Sequence, residues 1–435
     1  MSPSRPTATA LATWLQGRRW YAGERAAGTV TEQRVALPTT PEVTVVVITT
    51  GTGSRYQLVQ RPTARPRAHD RADEASTASA LARFVVHGGS ASAPDGASVT
   101  AHAVPRAATL GSGTAHPIGS EQSNTSVVVG GTHVLKVLRR LQPGLHPEVE
   151  IGRHLAAVAA SGHDLPAAPL AGWYDLHEGD TTTTLGVLHE LVPGALDAWA
   201  LVLSALAGDP NGLLARLHRL GAAVATLHVA LARPGDEPGT FGAAPLVPDR
   251  ITALIAALGT DAAAVLDDRT DPGEVVALAE RISATLADDL GAAIHHHGDL
   301  HLGQVVFGPD GWVILDFEGE PARPVAERRQ HHSPLRDVAG MLRSLAYAVA
   351  THRRSQGRRL GPGWEPAARA AFLDGYLATV DPALLPSSAT TTSALLRLFE
   401  LEKVVYEVGY ERSHRPDWVD VPVEGLRQLL AEDRT

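Results

Sequence analysis

The hydrophobic pattern changes at Pro193-Gly194, and this change constrains the fold more than any other feature of the sequence. Before it, β-branched runs over 125–129 and 133–138 are joined by Gly130-Gly131, a pair typical of a tight hairpin turn. After it, apolar residues recur every three to four positions, which predicts helices over 196–206, 212–232, 261–293, 335–353, 367–379 and 395–412. The sequence therefore predicts an α+β fold, strand-rich first and helical afterwards.

The first part of the chain has a pattern of its own. Two predicted strands, 43–50 and 56–60, flank a glycine-rich turn, and 70–87 is predicted to be a helix. Small and polar residues over 88–96 then indicate a linker or long turn. A chain of 435 residues usually forms two or three packed units. We therefore predict an N-terminal α/β cap, a strand-rich N-lobe and a helical C-lobe, over 1–95, 96–195 and 196–435.

Charge and composition exclude several classes of protein. The net charge of −9 argues against a general nucleic-acid binder, and the absence of cysteine excludes a disulfide framework. No apolar run approaches the ~20 residues that span a bilayer. The first twenty residues lack the pattern of a secretory signal. We therefore expect a cytoplasmic protein that binds neither nucleic acid nor membrane.

Lysine is almost absent from this sequence. Of 38 basic residues, only Lys136 and Lys403 are lysines, and the others are arginines. A GC-rich coding bias explains the general excess of arginine. A lysine that persists under such a bias is a candidate for a place where a compact ammonium is needed and a guanidinium does not fit.

The segment 297–320 contains the residues expected to carry chemistry. Asp299 lies in a predicted turn and can accept a hydroxyl proton. Two short predicted strands follow, joined by Pro309-Asp310-Gly311, with Gln304 at the start of the first and Asp316 at the end of the second. Pairing of these strands would bring Gln304 and Asp316 side by side, and their hard oxygen ligands suit Mg²⁺. Glu318 could hold a second ion or its water.

These motifs resemble those of the aminoglycoside-phosphotransferase-like kinases, which have a two-lobed protein-kinase-like fold. The runs His297–Gln304 and Ile314–Glu318 resemble the catalytic signature of that family. The family usually has asparagine at the position of Gln304, and glutamine there resembles its actinobacterial maltokinase-like branch, which includes glucosamine kinases. Other segments resemble the cap, the phosphate-covering loop, the post-catalytic helix and the sugar-side segment of that branch, namely 20–23, 119–126, 333–344 and 415–418. The resemblance implies an ATP- and Mg²⁺-dependent phosphotransferase with an alcohol group as acceptor.

The resemblance also implies roles in nucleotide binding. Lys136 would contact the α- and β-phosphates of ATP, and Glu150 would be its ion-pair partner, with Glu148 as the second candidate. Further expected ATP-binding residues are Ser123 and Thr125 near the phosphates, and Glu190 and Val192 in the segment beside adenine.

The sugar acceptor is expected to be glucosamine. Just before Ser333 this chain has Arg329-Gln330-His331-His332. Typical maltokinases have arginine and Pro-Asp-like residues there, so the resemblance to maltokinases is weaker in this segment. An aminosugar would need carboxylates for its ammonium and an aromatic face for its ring. The candidate substrate-binding residues are Asp299, His301, Gln330, His332, Glu407, Tyr410, Glu411 and Trp418. We therefore predict phosphorylation of D-glucosamine to glucosamine 6-phosphate.

Two alternatives stay open at this point. The first is a maltokinase, which would phosphorylate the anomeric hydroxyl of maltose. The second is a catalytically silent nucleotide-binding regulator, against which the presence of Lys136, Asp299, Gln304 and Asp316 argues. The sequence also leaves a homodimer open.

Overall fold

The structure is a computed structural model whose residues form two compact units. They are Met1–Ala160 with Ala168–Pro193, and Ser161–Ala167 with Gly194–Thr435. The residues described are 15–16, 18, 20–21, 30–62, 70–105, 107–119, 124–235, 239–267, 270–321, 323–356 and 363–432. The division of the chain into 1–95, 96–195 and 196–435 stays a prediction.

The first unit is built mainly of antiparallel strands. Its described strands are β1 (Thr31–Leu37), β2 (Val43–Thr49), β3 (Arg55–Gln60), β4 (Ser90–Ser92), β5 (Ser98–Ala103), β6 (Gly113–Pro117), β7 (Asn124–Gly130), β8 (His133–Leu138), β9 (Arg140–Leu141), β10 (Leu170–Glu178) and β11 (Thr181–Glu190). Its described helices are α1 (Ala75–His87) and α2 (Pro147–Ala160). The strands form a four-stranded sheet in the order β1-β2-β3-β9 and a seven-stranded sheet in the order β4-β5-β10-β11-β8-β7-β6.

The hairpin of β7 and β8 follows from its turn residues. Gly130 and Gly131 have φ angles of 66° and 71°, which only glycine adopts without strain. A Cβ atom on Gly130 would also lie 2.3 Å from the carbonyl oxygen of Gly111. The predicted hairpin is therefore confirmed, and β8 places Leu135 and Val137 in the core, both with no exposed surface.

Helix α1 covers the seven-stranded sheet with the buried side chains of Leu81, Phe84 and Val85. It ends at Gly88, whose φ of 68° allows the left-handed cap. The prediction that 88–96 is only a linker is wrong, because β4 forms there and pairs with β5. Short polar edge strands of this kind carry little hydrophobic pattern.

The second unit is mainly helical. Its described helices are α3 (Ala198–Ala207), α4 (Leu214–Leu231), α5 (Pro248–Val265), α6 (Pro272–Ser283), α7 (Val325–Arg328), α8 (Leu335–Gln356), α9 (Trp364–Leu377), α10 (Ala389–His414) and α11 (Asp420–Glu432). Its described strands are β12 (Leu196–Asp197), β13 (Ala244–Pro245), β14 (Ala292–Ala293), β15 (Val305–Gly308) and β16 (Gly311–Ile314). Single turns of 3₁₀ helix lie at Asn211–Leu213, Leu302–Gln304, Pro382–Leu384 and Pro416–Trp418.

Close helix packing organises this unit. Helices α4 and α9 approach so closely that a Cβ atom on Gly221 would lie 2.0 Å from the carbonyl oxygen of Phe372. The single helix predicted over 261–293 is wrong, because α5 ends at Val265 and α6 starts at Pro272, where proline fits a first turn. The α+β class is confirmed. No described helix is long and apolar enough to cross a membrane.

Candidate active site

Backbone hydrogen bonds fix the loop that carries Asp299. The amides of His297 and Gly298 donate to the carboxylate of Asp337 on α8, at 2.8 and 2.9 Å. The same carboxylate lies 3.1 Å from Nε2 of His228 on α4. Burial opposes the charge on Asp337, but the surrounding histidines outweigh it and lower the pKa of that carboxyl. Asp337 therefore holds the loop as a buried anion shared by two backbone amides and an imidazole.

Asp299 is held by a lysine that stands on the longest described helix. Nζ of Lys403, on α10, donates to Oδ1 of Asp299 at 2.8 Å and to Oε1 of Glu320 at 2.8 Å. All three side chains are largely shielded, with 15, 16 and 7% of the side-chain surface of Lys403, Asp299 and Glu320 exposed. One buried ammonium thus bridges two carboxylates.

The electrostatics of this bridge keep Asp299 ionised. Burial favours the neutral form of Asp299, but Lys403 and His301 outweigh it, so the pKa of Asp299 lies below its ordinary value. Burial likewise disfavours the charged form of Lys403, but Asp299 and Glu320 raise the pKa of its ammonium well above the ordinary value. The other oxygen, Oδ2 of Asp299, lies 3.9 Å from Nε2 of His301.

A small cavity adjoins this cluster. It has a volume of about 20 Å³ and is lined by Asp299, Glu320, Lys403 and Tyr406, among others. That volume is enough for one water molecule between polar groups. The residues predicted from sequence to bind the sugar, Asp299 excepted, are not part of its described lining.

The predicted metal ligands lie around the β15–β16 hairpin. Val305 pairs with Ile314, and the amide of Leu315 donates to the carbonyl oxygen of Gln304 at 2.9 Å. The structure therefore brings Gln304 beside the residue that precedes Asp316, as hairpin pairing predicted. Gln304 ends a 3₁₀ turn rather than beginning the strand, which is a correction of one residue in the strand boundary.

Asp316 has an unusual backbone. Its φ of 64° makes it the one described non-glycine residue in the left-handed region, where such conformations often serve function. Carboxylate oxygens of Asp316 and Glu318 lie within 4.8 Å of each other. Two carboxylates at this separation fit a hard divalent cation such as Mg²⁺.

Lys136 is the other lysine, and it stands on β8 of the first unit. Its Nζ donates to Oε2 of Glu148 on α2 at 2.9 Å, and Nε2 of His189 lies 3.1 Å from the other oxygen of Glu148. Burial would raise the pKa of Glu148, but Lys136 and His189 reverse this and lower it. The salt bridge is therefore made with Glu148, in the first turn of α2, and the preference for Glu150 as partner is corrected.

Other residues predicted to bind ATP have structural partners. The hydroxyl of Thr125 accepts a hydrogen bond from Nε of buried Arg139 at 2.9 Å. The side chain of Glu190 accepts from the amide of Ala108 at 2.7 Å. Ser123 lies outside the described residues. The roles of Thr125, Glu190, Val192 and Glu150 toward ATP stay predictions.

Two predicted sugar-binding residues lie on the segment before α8. Gln330 is exposed, and its Oε1 accepts from Arg250 at 2.9 Å. The ring of His332 packs edge-on against Phe399, with ring centroids 5.6 Å apart. Burial and nearby arginines hold the pKa of His332 well below its usual value, so it is neutral. Phe399 lines the small cavity beside Asp299, whereas Gln330 does not.

The remaining sugar-binding predictions cluster near the end of α10. Glu407 accepts from Arg343 at 2.8 Å, and Glu411 accepts from the hydroxyl of Tyr347 at 2.9 Å. Trp418 stacks on Tyr347 with ring centroids 6.4 Å apart. Tyr410 points outward and is 45% exposed. The structure thus links Glu411 and Trp418 through one tyrosine.

Three residues of the site were missed in the sequence. Lys403 carried a signal, since it is one of two lysines, but nothing in the sequence paired it with Asp299. Asp337 lies within a segment that resembled the family, so the motif pointed to the helix without giving the residue a role. Glu320 carried no signal beyond its position four residues after Asp316.

Comparison with known proteins shows the family of this chain. A sequence profile of the phosphotransferase enzyme family matches residues 114–386, more than half of the chain. The chain therefore belongs to this family, and it is a kinase.

Two curated relatives and one solved structure are similar to this chain over most of its length. A glucosamine kinase of Mycolicibacterium smegmatis is 31% identical over 332 residues, which cover 73% of this chain and 79% of the relative. A glucosamine kinase of Streptacidiphilus jiangxiensis is 30% identical over 334 residues, 72% of each chain. This chain is also similar in fold to the structure of a glucosamine kinase in complex with glucosamine, ADP and inorganic phosphate. The superposition covers 99% of this chain and 100% of that chain, with a TM-score of 0.68 and 22% identity. The expected protein-kinase-like fold is confirmed.

Proposed function

We propose that this protein is a glucosamine kinase, which transfers the γ-phosphoryl group of ATP to the 6-hydroxyl of D-glucosamine. The observation that carries the proposal is the cluster of Asp299, Lys403 and Glu320, a base held in place in a chain of the phosphotransferase family. The two curated relatives are both glucosamine kinases, 31% and 30% identical to this chain, and they support this acceptor over maltose.

Asp299 is assigned the role of base. The 6-oxygen of the sugar attacks the γ-phosphorus of ATP, its proton passes to a carboxylate oxygen of Asp299, and the bond to the β–γ bridging oxygen breaks to release ADP. Because phosphoryl transfer has a loose transition state, a positioned acceptor matters more than a strong base. A low pKa for Asp299 suits this role, since the carboxylate is ionised and aimed before the hydroxyl arrives.

Lys403 is assigned the role of a positioning residue. It contacts Oδ1 of Asp299 at 2.8 Å, which leaves Oδ2 for the hydroxyl proton. When Asp299 becomes protonated, Lys403 loses part of its partner charge but keeps Glu320 at 2.8 Å. Glu320 therefore prevents the ammonium from being left buried and unpaired at that moment, which would be costly.

The triphosphate is assigned to Lys136 and a divalent ion. Lys136, oriented by Glu148, would offer its ammonium to phosphate oxygens. Gln304, Asp316 and Glu318 would hold Mg²⁺, which neutralises charge on the phosphates when bound. Within the chain itself, Asp316 has a left-handed backbone, with a φ of 64°.

The ammonium of glucosamine is assigned to Glu411. Oε1 of this residue accepts from the hydroxyl of Tyr347 and forms a salt bridge with Arg415, while Oε2 is buried and has no hydrogen-bond partner among the described residues. A buried acceptor without a partner is unfavourable unless a donor reaches it. Trp418, on the other side of Tyr347, offers an aromatic face for a sugar ring.

An ADP-release assay with several acceptors tests the proposal. Glucosamine, N-acetylglucosamine, glucose, 6-deoxyglucosamine and maltose are compared at equal concentration with ATP and Mg²⁺. We expect the highest kcat/KM with glucosamine, little with N-acetylglucosamine because its nitrogen is a neutral amide, and none with 6-deoxyglucosamine because it lacks the 6-hydroxyl. Turnover of maltose without turnover of glucosamine would replace the proposal by a maltokinase. Binding of ATP without sugar-dependent ADP release would replace it by a silent regulator.

Glu411→Gln sharpens the assignment of the amine site. The variant keeps the size of the side chain and removes its charge, so kcat/KM should drop about tenfold for glucosamine and change little for glucose. Glu280→Gln, at an exposed position on α6, is the matched control. Equal losses for both sugars would show that Glu411 supports the fold and does not read the amine.

A further inference from the structure

One polar cluster in the first unit has no part in the proposed reaction. It lies on one face of the seven-stranded sheet, where β5 and β10 are antiparallel neighbours and His102 pairs with Trp173. Side chains two residues apart on a strand share a face, so Trp173, Asp175 and His177 point to the same side as His102. Three residues with metal-binding side chains therefore meet on a rigid sheet.

The distances within this cluster suit a common ligand. One donor atom from each of His102, Asp175 and His177 lies within 4.8 Å of the other two. Nε2 of His102 lies 3.3 Å from Oδ2 of Asp175, a contact without the angles of a hydrogen bond. A modest closing of these side chains would place all three donors around one ion.

The burial of Asp175 is a second, independent observation. This residue is 4% exposed, yet its Oδ1 has no hydrogen-bond partner among the described residues, and neither does Nε2 of His102. Unpartnered polar atoms of this kind are rare and destabilising in folded proteins. Both atoms belong to the same cluster, so one ligand between them would satisfy both.

The neighbouring residues already orient the three side chains. Trp173 stacks on the imidazole of His102 at 4.6 Å, and its indole Nε1 donates to Oδ2 of Asp175 at 2.8 Å. Nδ1 of His177 lies 3.2 Å from the hydroxyl of Thr182, which leaves Nε2 for a ligand. Such outer contacts are typical of metal sites, where they fix the tautomer and direction of each ligand.

We propose that His102, Asp175 and His177 bind a divalent transition-metal ion, for which Zn²⁺ is the model ligand. Two imidazoles and one carboxylate match the preference of Zn²⁺, whereas Mg²⁺ prefers an all-oxygen set. Three protein ligands leave one position for water. The ion would tie β5 to β10 and stabilise the first unit. This site does not depend on the proposed kinase reaction, because it shares no residue with it.

Metal binding to the full-length protein tests the proposal. Chelator-treated protein is titrated with ZnCl₂ against a chromophoric chelator, in excess Mg²⁺, to measure stoichiometry and affinity. We expect one tight Zn²⁺ per chain, with affinity about tenfold or more weaker in His102→Ala and Asp175→Asn. His87→Ala removes an exposed histidine from α1 and should bind as the wild type does. Asp316→Asn should also keep this site, which separates it from the catalytic carboxylates.

Two results would overturn the proposal. One is an unchanged affinity in both His102→Ala and Asp175→Asn, and the other is wild-type protein that takes up no tight Zn²⁺. Because Asp175 is buried, circular dichroism first checks that Asp175→Asn is folded. The side chain of His102 is 35% exposed, so His102→Ala keeps the test decisive if Asp175→Asn does not fold. Co²⁺ provides a second readout, through absorption bands that are lost in His102→Ala.

Discussion

The two lysines of this chain are held in opposite ways. Lys136 stands on a strand and makes a salt bridge with Glu148, whose other oxygen faces His189. Lys403 stands on a helix and bridges two carboxylates, Asp299 and Glu320. In the first case a lysine and a histidine both face one carboxylate. In the second, two carboxylates surround one ammonium.

The difference indicates what each lysine can offer to a substrate. Glu148 orients the ammonium of Lys136, which in the proposed function contacts an anion such as a triphosphate. Lys403 already donates to two carboxylates, those of Asp299 and Glu320, so we infer that it orients Asp299 and does not bind a ligand. We therefore assign Lys136 to the nucleotide and Lys403 to the base.

Loss of the base should give the largest decrease in kcat. It tests whether the aspartate that Lys403 contacts is the proton acceptor. Asp299→Asn removes the proton acceptor but keeps the shape of the side chain, so kcat should decrease by about 10²–10⁴-fold. Binding of ATP, measured by calorimetry, should be unchanged, because the nucleotide is assigned to the other lysine. Normal turnover would remove Asp299 from the role of base.

Lys136 should affect the nucleotide instead. Lys136→Met should lower kcat/KM for ATP by about 10²-fold, as is common for the loss of one charged contact to the reacting group. The KM for the sugar should change much less. Lys136→Arg tests whether a compact ammonium is needed, since full activity of this variant would show that the scarcity of lysine has no bearing on this site.

The salt bridge between Lys136 and Glu148 should also contribute to the free energy of unfolding. Glu148→Gln breaks a buried pair, so the free energy of unfolding should drop by about 3 kcal/mol at neutral pH. The folded-state pKa of Glu148 is depressed below its ordinary value of 4.5, so its contribution is present above that pH and is lost as the pH falls. The difference between wild type and variant should therefore shrink below pH 4.5 in urea denaturation. Glu280→Gln is the control, and a difference independent of pH would contradict the assigned ion pair.

Part of the fold and of the candidate site could be predicted from the sequence. The hairpin over Gly130-Gly131 and the pairing that brings Gln304 toward Asp316 are local features, set by turn residues and short-range periodicity. The strand β10 was not among the predicted strands, although Leu170, Tyr174 and Leu176 are buried on one of its faces. Asp175 on the opposite face is buried as well, so burial does not follow the alternation of apolar and polar residues.

Long-range contacts account for what the sequence could not reveal. Lys403 lies 104 residues from Asp299, and Asp337 lies 40 residues from His297. No local rule connects such positions, since only the folded arrangement of α8 and α10 brings them to the catalytic loop. The choice between Glu148 and Glu150 failed for a similar reason, because it depends on the rotation of α2 against β8.

The division of roles between the two lysines is the central claim, and the pH dependence of kcat/KM tests it most directly. Lys403 lowers the pKa of Asp299 against the opposing effect of burial, so the acidic limb should move to higher pH in Lys403→Met and return toward the wild-type position in Lys403→Arg. In Lys136→Met the whole profile should be lower, with its acidic limb unmoved. An unmoved limb in Lys403→Met, or an equal movement in both methionine variants, would contradict the account.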